Sequence, residues 1–182
     1  MNFTVKKTDF SEILLIEPKI YNDERGFFFE SFNKKSFYNL TNLNVDFVQD
    51  NHSRSKKNVL RGLHFQLNKP QGKLIRVLDG IILDVIVDIR KSSSNFGKWI
   101  AFELSSTNQK QLWIPEGFAH GYLVKSSVAE VLYKTTEYWY PEYEKCIIWD
   151  DTDISINWPI DNPILSQKDQ RGKKLRDSIT FK

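Results

Sequence analysis

The three histidines of this chain are the first residues to consider for chemistry, because each lies in a polar segment within strand-like sequence. Imidazole binds zinc, but no two histidines stand two residues apart on a strand, where both rings would share a face, so the spacing disfavours a metal site. One histidine could instead act as a general base beside an orienting acid, or simply pack in the core. For His52 the polar neighbours at 53–55 favour a structural role, whereas residue type does not decide for His64 and His120.

A parity argument singles out Tyr133 as a second candidate. On the predicted strand 129–139 the odd positions include Val131, Tyr133 and Trp139, so all three face the interior if Val131 does. A buried phenol hydroxyl needs a hydrogen-bond partner. That partner is either a backbone carbonyl or a ligand that receives the proton, with Trp139 as a stacking platform for a planar group.

Several charged residues have both a structural and a functional interpretation. Arg25 and Arg61 each precede a glycine in a strand-like run, where they lie at the surface or where the backbone approaches a ligand closely. Asp169 follows Ser166 at the spacing of a capping box, so it serves as a helix-cap residue or as an acid in a site. Lys73 has the parity of the apolar residues of its own strand, which is an unusual position for an ammonium group.

Short strands must position these side chains, because period-two alternation dominates the middle of the chain. Residues 81–90 carry apolar side chains at the odd positions, which predicts a strand with one buried face. The Asp79-Gly80 turn before it predicts a hairpin with residues 73–78. Residues 36–40 are predicted to form one or two helical turns, and residues 166–169 to begin a helix. Further strands are predicted at 13–16, 26–30, 45–49, 60–66, 99–104, 111–114, 121–124 and 129–135. Many short strands are typical of a β-sandwich, jelly roll or small barrel.

Composition restricts the remaining possibilities. The 182 residues suit a single domain over 1–182, and 40% hydrophobic with 27% charged residues exclude a disordered chain. The net charge of +3 comes from mixed signs, unlike the basic stripe of a nucleic-acid-binding protein. Apolar runs are too short for a membrane span or signal peptide, and the single cysteine, Cys146, forms no intrachain disulfide. We therefore expect a cytoplasmic protein without nucleic-acid or membrane partners.

Five motifs together resemble the signatures of the dTDP-4-dehydrorhamnose 3,5-epimerases. They lie, in order along essentially the whole chain, at residues 49–53, 61–66, 113–121, 133–136 and 165–169. The resemblance implies an all-β fold, a cupin-type double-stranded β-helix or jelly roll with short flanking helices. It implies a homodimer that works without metal or cofactor. The implied reaction converts dTDP-4-dehydro-6-deoxy-D-glucose to dTDP-4-dehydro-L-rhamnose, in dTDP-L-rhamnose biosynthesis.

The resemblance also implies a role for each site residue. The 4-keto group acidifies the hydrogens on C3 and C5, so a base can form an enolate that an acid reprotonates from the other face. His64 is implied as the base and Asp169 as the acid that orients it, while Lys73 stabilises the enolate oxygen and Tyr133 is the opposing proton donor. Trp139 stands where relatives usually carry a tyrosine that stacks on thymine. Other substrate contacts are implied for Arg25, Glu30, Gln49, Asp50, Asn51, Arg61, His120, Glu144 and Lys168.

Two alternatives remain open from the sequence. The first is a mono-epimerase that acts at C3 or C5 only, on a related 4-keto nucleotide sugar. The second is a β-sandwich that binds nucleotide sugars without catalysis. A cavity that both His64 and Tyr133 face, with Asp169 within hydrogen-bond reach of His64, would count against the second alternative.

Overall fold

The computed structural model describes residues 2–182, and antiparallel strands dominate it. Two helices, α1 (Lys34–Thr41) and α2 (Gln167–Gln170), and a 3₁₀ turn at Leu175–Asp177 accompany the strands. Among the described residues, no helix has the length and apolar character needed to cross a membrane. The strands are, in chain order, β1 (Phe3–Lys7), β2 (Leu14–Pro18), β3 (Tyr21–Asp23), β4 (Gly26–Phe28), β5 (Gln49–Lys56), β6 (Leu60–Gln66), β7 (Lys73–Asp79), β8 (Ile81–Asp88), β9 (Trp99–Ser105), β10 (Gln111–Ile114), β11 (Phe118–Val124), β12 (Val128–Thr135) and β13 (Glu144–Cys146).

Two antiparallel sheets form the body of the fold. The six-stranded sheet has the order β1-β2-β10-β7-β12-β5, and the five-stranded sheet has the order β13-β6-β11-β8-β9. The remaining pair, β3 and β4, forms a separate two-stranded hairpin. Many neighbours within each sheet are distant along the chain, as when β5 pairs with β12. This architecture confirms the predicted all-β jelly roll with short helices outside the sheets.

Apolar side chains pack in three layers around these sheets. The outer face of the six-stranded sheet packs against α1, where Phe37 contacts Trp113 edge to face. The outer face of the five-stranded sheet is covered by the C-terminal segment, through residues such as Trp158 and Leu175. The layer between the sheets includes Ile75, Val77, Ile82, Ile86 and Val131.

The predicted hairpin between residues 73–78 and 81–90 is wrong. Strand β7 pairs with β10 and β12, whereas β8 pairs with β11 and β9 in the other sheet. The Asp79-Gly80 turn is therefore a corner at which the chain passes from one sheet to the other. Gly80 has a φ of +80° there. Glycine supplies positive φ to a corner as readily as to a hairpin, so the dipeptide alone does not distinguish them.

Strand β8 has two buried faces, whereas the alternation predicted one. Val85 and Val87 pack against the C-terminal segment, and Ile82 and Ile86 face the layer between the sheets. Asp84, which lies on the same side as Ile82 and Ile86, is fully buried. The C-terminal segment that covers the second face of β8 lies far away in sequence, so the residue pattern of β8 itself could not predict this burial.

Two predicted strand boundaries also move. Residues 45–48 have no strand structure, and β5 begins only at Gln49. Strand β12 ends at Thr135, so Trp139 lies in the segment that follows the strand. The parity that predicted an inward Trp139 therefore does not extend to that residue.

Both predicted helical segments are present and begin at capping side chains. The side chain of Asn33 accepts a hydrogen bond from the backbone N–H of Ser36 at 3.0 Å and begins α1. Ser166 accepts from the backbone N–H of Asp169 at 3.2 Å and begins α2, as the sequence predicted. Side-chain caps of this kind satisfy N–H groups that the helix leaves unpaired.

Candidate active site

A cavity of about 300 Å³ opens between the two sheets, and both sheets contribute polar side chains to its wall. His64 of β6 and His120 of β11 come from the five-stranded sheet. Lys73 of β7 and Tyr133 of β12 come from the six-stranded sheet. The fold thus gathers side chains that are distant in sequence and presents them from opposite walls.

His64 lies in this wall with its Nε2 atom 2.5 Å from Oδ1 of Asp169. The first turn of α2 holds Asp169 in place, since Ser166 Oγ donates to its Oδ2 at 2.7 Å. Burial lowers the pKa of His64 below its usual value, although the hydrogen bond to Asp169 opposes this effect. The imidazole is therefore neutral near pH 7. A neutral ring that donates through Nε2 carries its lone pair on Nδ1, where it can accept a proton.

Asp169 completes this pair as a buried carboxylate. Its side chain is only 3% exposed. Burial alone would raise the pKa of Asp169, but hydrogen bonds from His64 and Ser166 outweigh it and hold the pKa below its usual range. The carboxylate stays ionised, so it fixes both the tautomer and the orientation of the imidazole.

Lys73 places an ammonium group in the wall at the start of β7. It lies on the side of the strand that carries Ile75 and Val77 into the layer between the sheets, which confirms the predicted parity. Burial lowers its pKa to about 8, while the carboxylates of Glu144 and Asp84 favour the charged form. The ammonium ion still predominates at neutral pH. A cation fixed in a poorly hydrated site stabilises negative charge that develops beside it.

Tyr133 faces the same cavity from β12. Its neighbour Val131 is buried between the sheets, so the parity prediction for Tyr133 is confirmed. Burial raises the pKa of the Tyr133 hydroxyl to about 12. The phenol is therefore protonated across the physiological pH range and has a proton to give.

His120 has its own carboxylate partner, which the sequence analysis did not assign. Its Nε2 atom lies 2.9 Å from Oδ2 of Asp84, and both residues are buried. The other carboxylate oxygen, Oδ1, is buried and has no hydrogen-bond partner within residues 2–182. Each cavity histidine is thus supported by an acid, and Asp84 fixes the ring of His120 as Asp169 fixes that of His64.

An ion pair and an indole lie along one side of the cavity. Lys168 Nζ is 2.8 Å from Oε1 of Glu144. Burial would raise the pKa of Glu144, but the hydrogen bond from Lys168 and nearby positive charge keep the pKa below its usual value. Trp139 is 53% exposed and lines the same cavity, with its backbone N–H donating to Gln49 Oε1 at 3.1 Å. Trp139 therefore reaches the cavity, although it lies beyond β12.

Strands β5 and β6 supply the remaining predicted residues of the wall. Gln49 Nε2 donates to Asn51 Oδ1 at 3.0 Å, and Arg61 Nε donates to Ser55 Oγ at 3.0 Å. The glycine after Arg61 serves a close approach between strands, because a Cβ there would lie 2.5 Å from the Cα of Gly121. The close approach that the sequence suggested is thus to β11, with the arginine itself lining the cavity.

Three predicted substrate contacts lie outside the cavity of their own chain. Arg25 sits at the turn between β3 and β4, with an 85% exposed side chain paired to Asp23. Glu30 follows that hairpin. Asp50 lies on the outer face of β5, where it pairs with Lys134 at 3.0 Å, so its position does not support the predicted contact. Neighbours on a strand point to opposite faces, and a motif that includes both does not say which one faces the ligand.

His52 also lies on the outer face of β5. Its Nε2 atom is 3.2 Å from Oε2 of Glu130, and its side chain is 50% exposed. This position supports the structural role that its polar neighbours predicted. The three histidines therefore do not converge on one metal ion.

Sequence reasoning missed three polar residues that also line the cavity, Ser53, Gln71 and Tyr122. The hydroxyl groups of Tyr122 and Ser53 are 2.8 Å apart and bridge the two sheets. Parity could have identified both, because Tyr122 stands two residues after His120 and Ser53 two residues after Asn51. Gln71 precedes β7 in a loop, where parity gives no signal.

Comparisons with known proteins find relatives of this chain in sequence and in fold. A family model described as dTDP-4-dehydrorhamnose 3,5-epimerase matches residues 7–177. The dTDP-4-dehydrorhamnose 3,5-epimerase of Pseudomonas aeruginosa is 51% identical over 171 residues, which cover 93% of this chain and 94% of the relative. The protein of the same name from Shigella flexneri is 53% identical over 178 residues, which cover 97% and 98% of the two chains.

A solved structure shows the same likeness in three dimensions. It is the dTDP-6-deoxy-D-glucose-3,5-epimerase of Legionella pneumophila in complex with dTDP-4-keto-L-rhamnose, with a TM-score of 0.94. The two chains are 48% identical, and the match covers 96% of this chain and 94% of that one. With sequence and fold both matched over nearly the full length, this chain belongs to the dTDP-4-dehydrorhamnose 3,5-epimerase family.

Proposed function

We propose that this protein is an isomerase that converts dTDP-4-dehydro-6-deoxy-D-glucose to dTDP-4-dehydro-L-rhamnose, a step in dTDP-L-rhamnose biosynthesis. Family membership at about half sequence identity supports this activity. The observation that carries the mechanism is the hydrogen bond between His64 and Asp169, which holds a neutral imidazole at the cavity wall. Tyr133 stands in the opposite sheet with its proton retained.

The chemistry starts from the acidity that the 4-keto group confers on C3 and C5. Nδ1 of His64 takes the proton from one of these carbons, and the C–H electron pair moves toward the ketone to form an enolate. The ammonium group of Lys73 stabilises the enolate oxygen. Tyr133 then gives its proton to the same carbon from the opposite face, which restores the ketone and inverts the centre. Before the second carbon reacts, His64 loses the abstracted proton to solvent and Tyr133 takes up a new proton from solvent.

The remaining cavity residues are proposed to bind the nucleotide portion and the sugar. Arg61 and Lys168 supply positive charge for the diphosphate, for which the planar guanidinium of arginine is well suited. Trp139, exposed at the rim, stacks on the thymine. Hydrogen bonds to the sugar and nucleoside are proposed for Gln49, Asn51, His120 and Glu144, all of which line the cavity.

We also propose that the protein works as a homodimer. The β3–β4 hairpin, with Arg25 at its turn, exposes 60% of Phe27 and 72% of Phe28, so it carries uncovered apolar side chains. Arg25 and Glu30 lie outside the cavity of their own chain, yet the family resemblance implies substrate contacts for both. These two points are reconciled if the hairpin of one protomer reaches the cavity of the other.

The experiment that tests the function is an NMR assay with dTDP-4-dehydro-6-deoxy-D-glucose in D₂O. The wild-type protein is expected to form the L-rhamno product with deuterium at C3 and C5. His64→Ala should abolish both exchange and product, because no base remains. Tyr133→Phe should reduce epimerisation while some exchange continues, because the enolate still forms and is reprotonated from the original face.

A matched control is His52→Ala, which removes a histidine beside an acid on the outer face. This variant should exchange and epimerise like the wild type. Normal turnover by His64→Ala would remove the base assignment. A product inverted at one carbon only would replace the proposal by the mono-epimerase alternative, and tight binding without exchange would favour the binding protein.

A further inference from the structure

Three side chains of metal-binding type meet beside the substrate cavity. The potential ligand atoms of His64, Cys146 and Asp169 all lie within 4.8 Å of one another. Cys146 stands opposite His64 in the β13–β6 pairing, and its Sγ atom is 3.9 Å from Oδ1 of Asp169. We infer that these three side chains form a site at which a zinc ion binds and inhibits the protein.

The ligand types suit zinc. Zn²⁺ prefers a tetrahedron of nitrogen, sulfur and oxygen ligands at ~2.0–2.3 Å, which places neighbouring ligand atoms roughly 3.3–3.8 Å apart. The distance between Cys146 and Asp169 is already close to that spacing. The bond of 2.5 Å between His64 and Asp169 must lengthen, as it does when an ion replaces the shared proton. A water molecule would be the fourth ligand. Hard ions such as Mg²⁺ and Ca²⁺ avoid thiolate and imidazole ligands.

The ion has its own route to this site. Cys146 lines a second cavity of about 710 Å³ and does not line the substrate cavity. Glu144 and Lys168 line both cavities and so form part of the wall between them. Zinc can therefore reach Cys146 without passing the nucleotide sugar.

Zinc at this site would be inhibitory and would not be needed for folding. His64 and Asp169 already contact each other at 2.5 Å without an ion. Structural zinc sites differ, because there binding of the metal drives folding. Once bound, zinc occupies the Nε2 atom of His64 and Oδ1 of Asp169. The hydrogen bond that orients the proposed base is then lost, and turnover stops.

Direct binding is tested with Co²⁺, which substitutes for zinc and reports its ligands by absorption. The chelator-treated wild type should show a sulfur-to-cobalt charge-transfer band that zinc removes. Cys146→Ser should lack that band, whereas His52→Ala should keep it, because His52 lies on the outer face of β5. A wild-type spectrum without the sulfur band would overturn the site. This measurement needs no turnover, so its failure is distinct from failure of the proposed function.

Inhibition, which rests on the proposed function, is tested by titrating zinc into the NMR assay. Wild-type turnover should fall when zinc is added and recover when EDTA is added, and Mg²⁺ should leave it unchanged. Cys146→Ser should turn over normally in EDTA and need at least about tenfold more zinc, since even outer-shell partners change metal affinity by ~10–100-fold. Cys146→Ala serves as a second variant, and its melting temperature checks the fold. Unchanged zinc sensitivity in both folded variants contradicts the site.

Discussion

At the start of β7, Lys73 holds an ammonium group among side chains that face the layer between the sheets. The cost of removing this charge from water appears as a pKa of about 8 in place of 10.5. Lys73 is buried, with 9% exposure, so solvent does little to screen the effect. The residue proposed to stabilise the enolate therefore destabilises the fold while it is charged.

Replacing Lys73 by methionine should raise stability and remove activity. The change in pKa corresponds to roughly 3 kcal/mol, so the free energy of unfolding of Lys73→Met at pH 7 should rise by up to about that amount. The folded wild type binds fewer protons than the unfolded chain between pH about 8 and 10.5, so its stability rises with pH across that window. Urea unfolding at pH 7 and pH 10 measures both effects.

The same variant also tests the catalytic role of Lys73. Wild-type turnover should fall as pH rises through about 8, where the ammonium loses its proton, and Lys73→Met should show neither turnover nor deuterium exchange. Lys134→Met, which removes an ammonium paired with Asp50 on the outer face, is the control and should change neither the stability slope nor the pH profile. Full activity in Lys73→Met would rule out the role.

At the scale of strands, the alternation of apolar and polar residues predicted which face of a strand a side chain occupies. It did not predict which sheet the strand belongs to. It placed Tyr133 and Lys73 on the inner face, and the structure agrees. It could not place β7 and β8 in different sheets, because Asp79-Gly80 suits a corner and a hairpin equally. It also left Asp84 without a role, because the alternation gave β8 a single buried face and the second cover lies far away in sequence.

Gly80 at that corner is where a small change should be costly. A Cβ there would lie 2.0 Å from the carbonyl oxygen of Val128 and 2.4 Å from Oγ of Ser126. Gly80→Ala should therefore lower the free energy of unfolding by about 3 kcal/mol or more, since both the positive φ and the clash oppose it. Urea unfolding measures the loss.

A matched control for this prediction is Gly97→Ala. Gly97 has a φ of +76°, close to that of Gly80, but a Cβ there meets only Cδ2 of Leu175 at 3.5 Å. Its substitution should cost only the backbone strain, about 1–2 kcal/mol. Equal losses at the two positions would show that the clash at the corner relaxes freely.

At the scale of the whole molecule, the proposed dimer predicts that two inactive variants can restore activity to each other, which a monomer could not do. Mixing His64→Ala with Arg25→Ala, each nearly inactive alone, should restore activity in mixed dimers. One cavity then combines an intact His64 with an intact Arg25 from the other chain. Random pairing makes about a quarter of all sites complete, so co-expressed variants should recover about that share of wild-type turnover. Light scattering should show a dimer.

If activity does not recover in mixed dimers, Arg25 does not contact the substrate bound in the cavity of the other protomer. A second readout is Phe28→Glu, which places a charge on the exposed apolar part of the hairpin. This variant should shift the protein toward monomers and lose turnover. A monomeric wild type at the concentration of the assay would contradict the proposed assembly.

The contact between the strand that carries His64 and the helix that carries Asp169 could be predicted from the sequence only through the family resemblance. His64 and Asp169 are 105 residues apart, and no local pattern joins them. Ser166 and Asp169 could be read locally as a helix cap, which they are. The contact of that cap with β6 depends on how the C-terminal segment packs over the five-stranded sheet, through apolar residues such as Trp158 and Leu175. Packing of this kind is a property of the whole chain.

That covering segment also sets the order in which the protein can become active in the cell. A ribosome releases the chain from its N-terminus, so His64, Lys73 and Tyr133 emerge well before Asp169. Until the segment with Trp158, Asp169 and Leu175 arrives, the imidazole of His64 lacks its acid and the outer face of the five-stranded sheet is uncovered. A nascent chain can therefore build most of the cavity, but its proposed base is oriented only after Asp169 has left the ribosome.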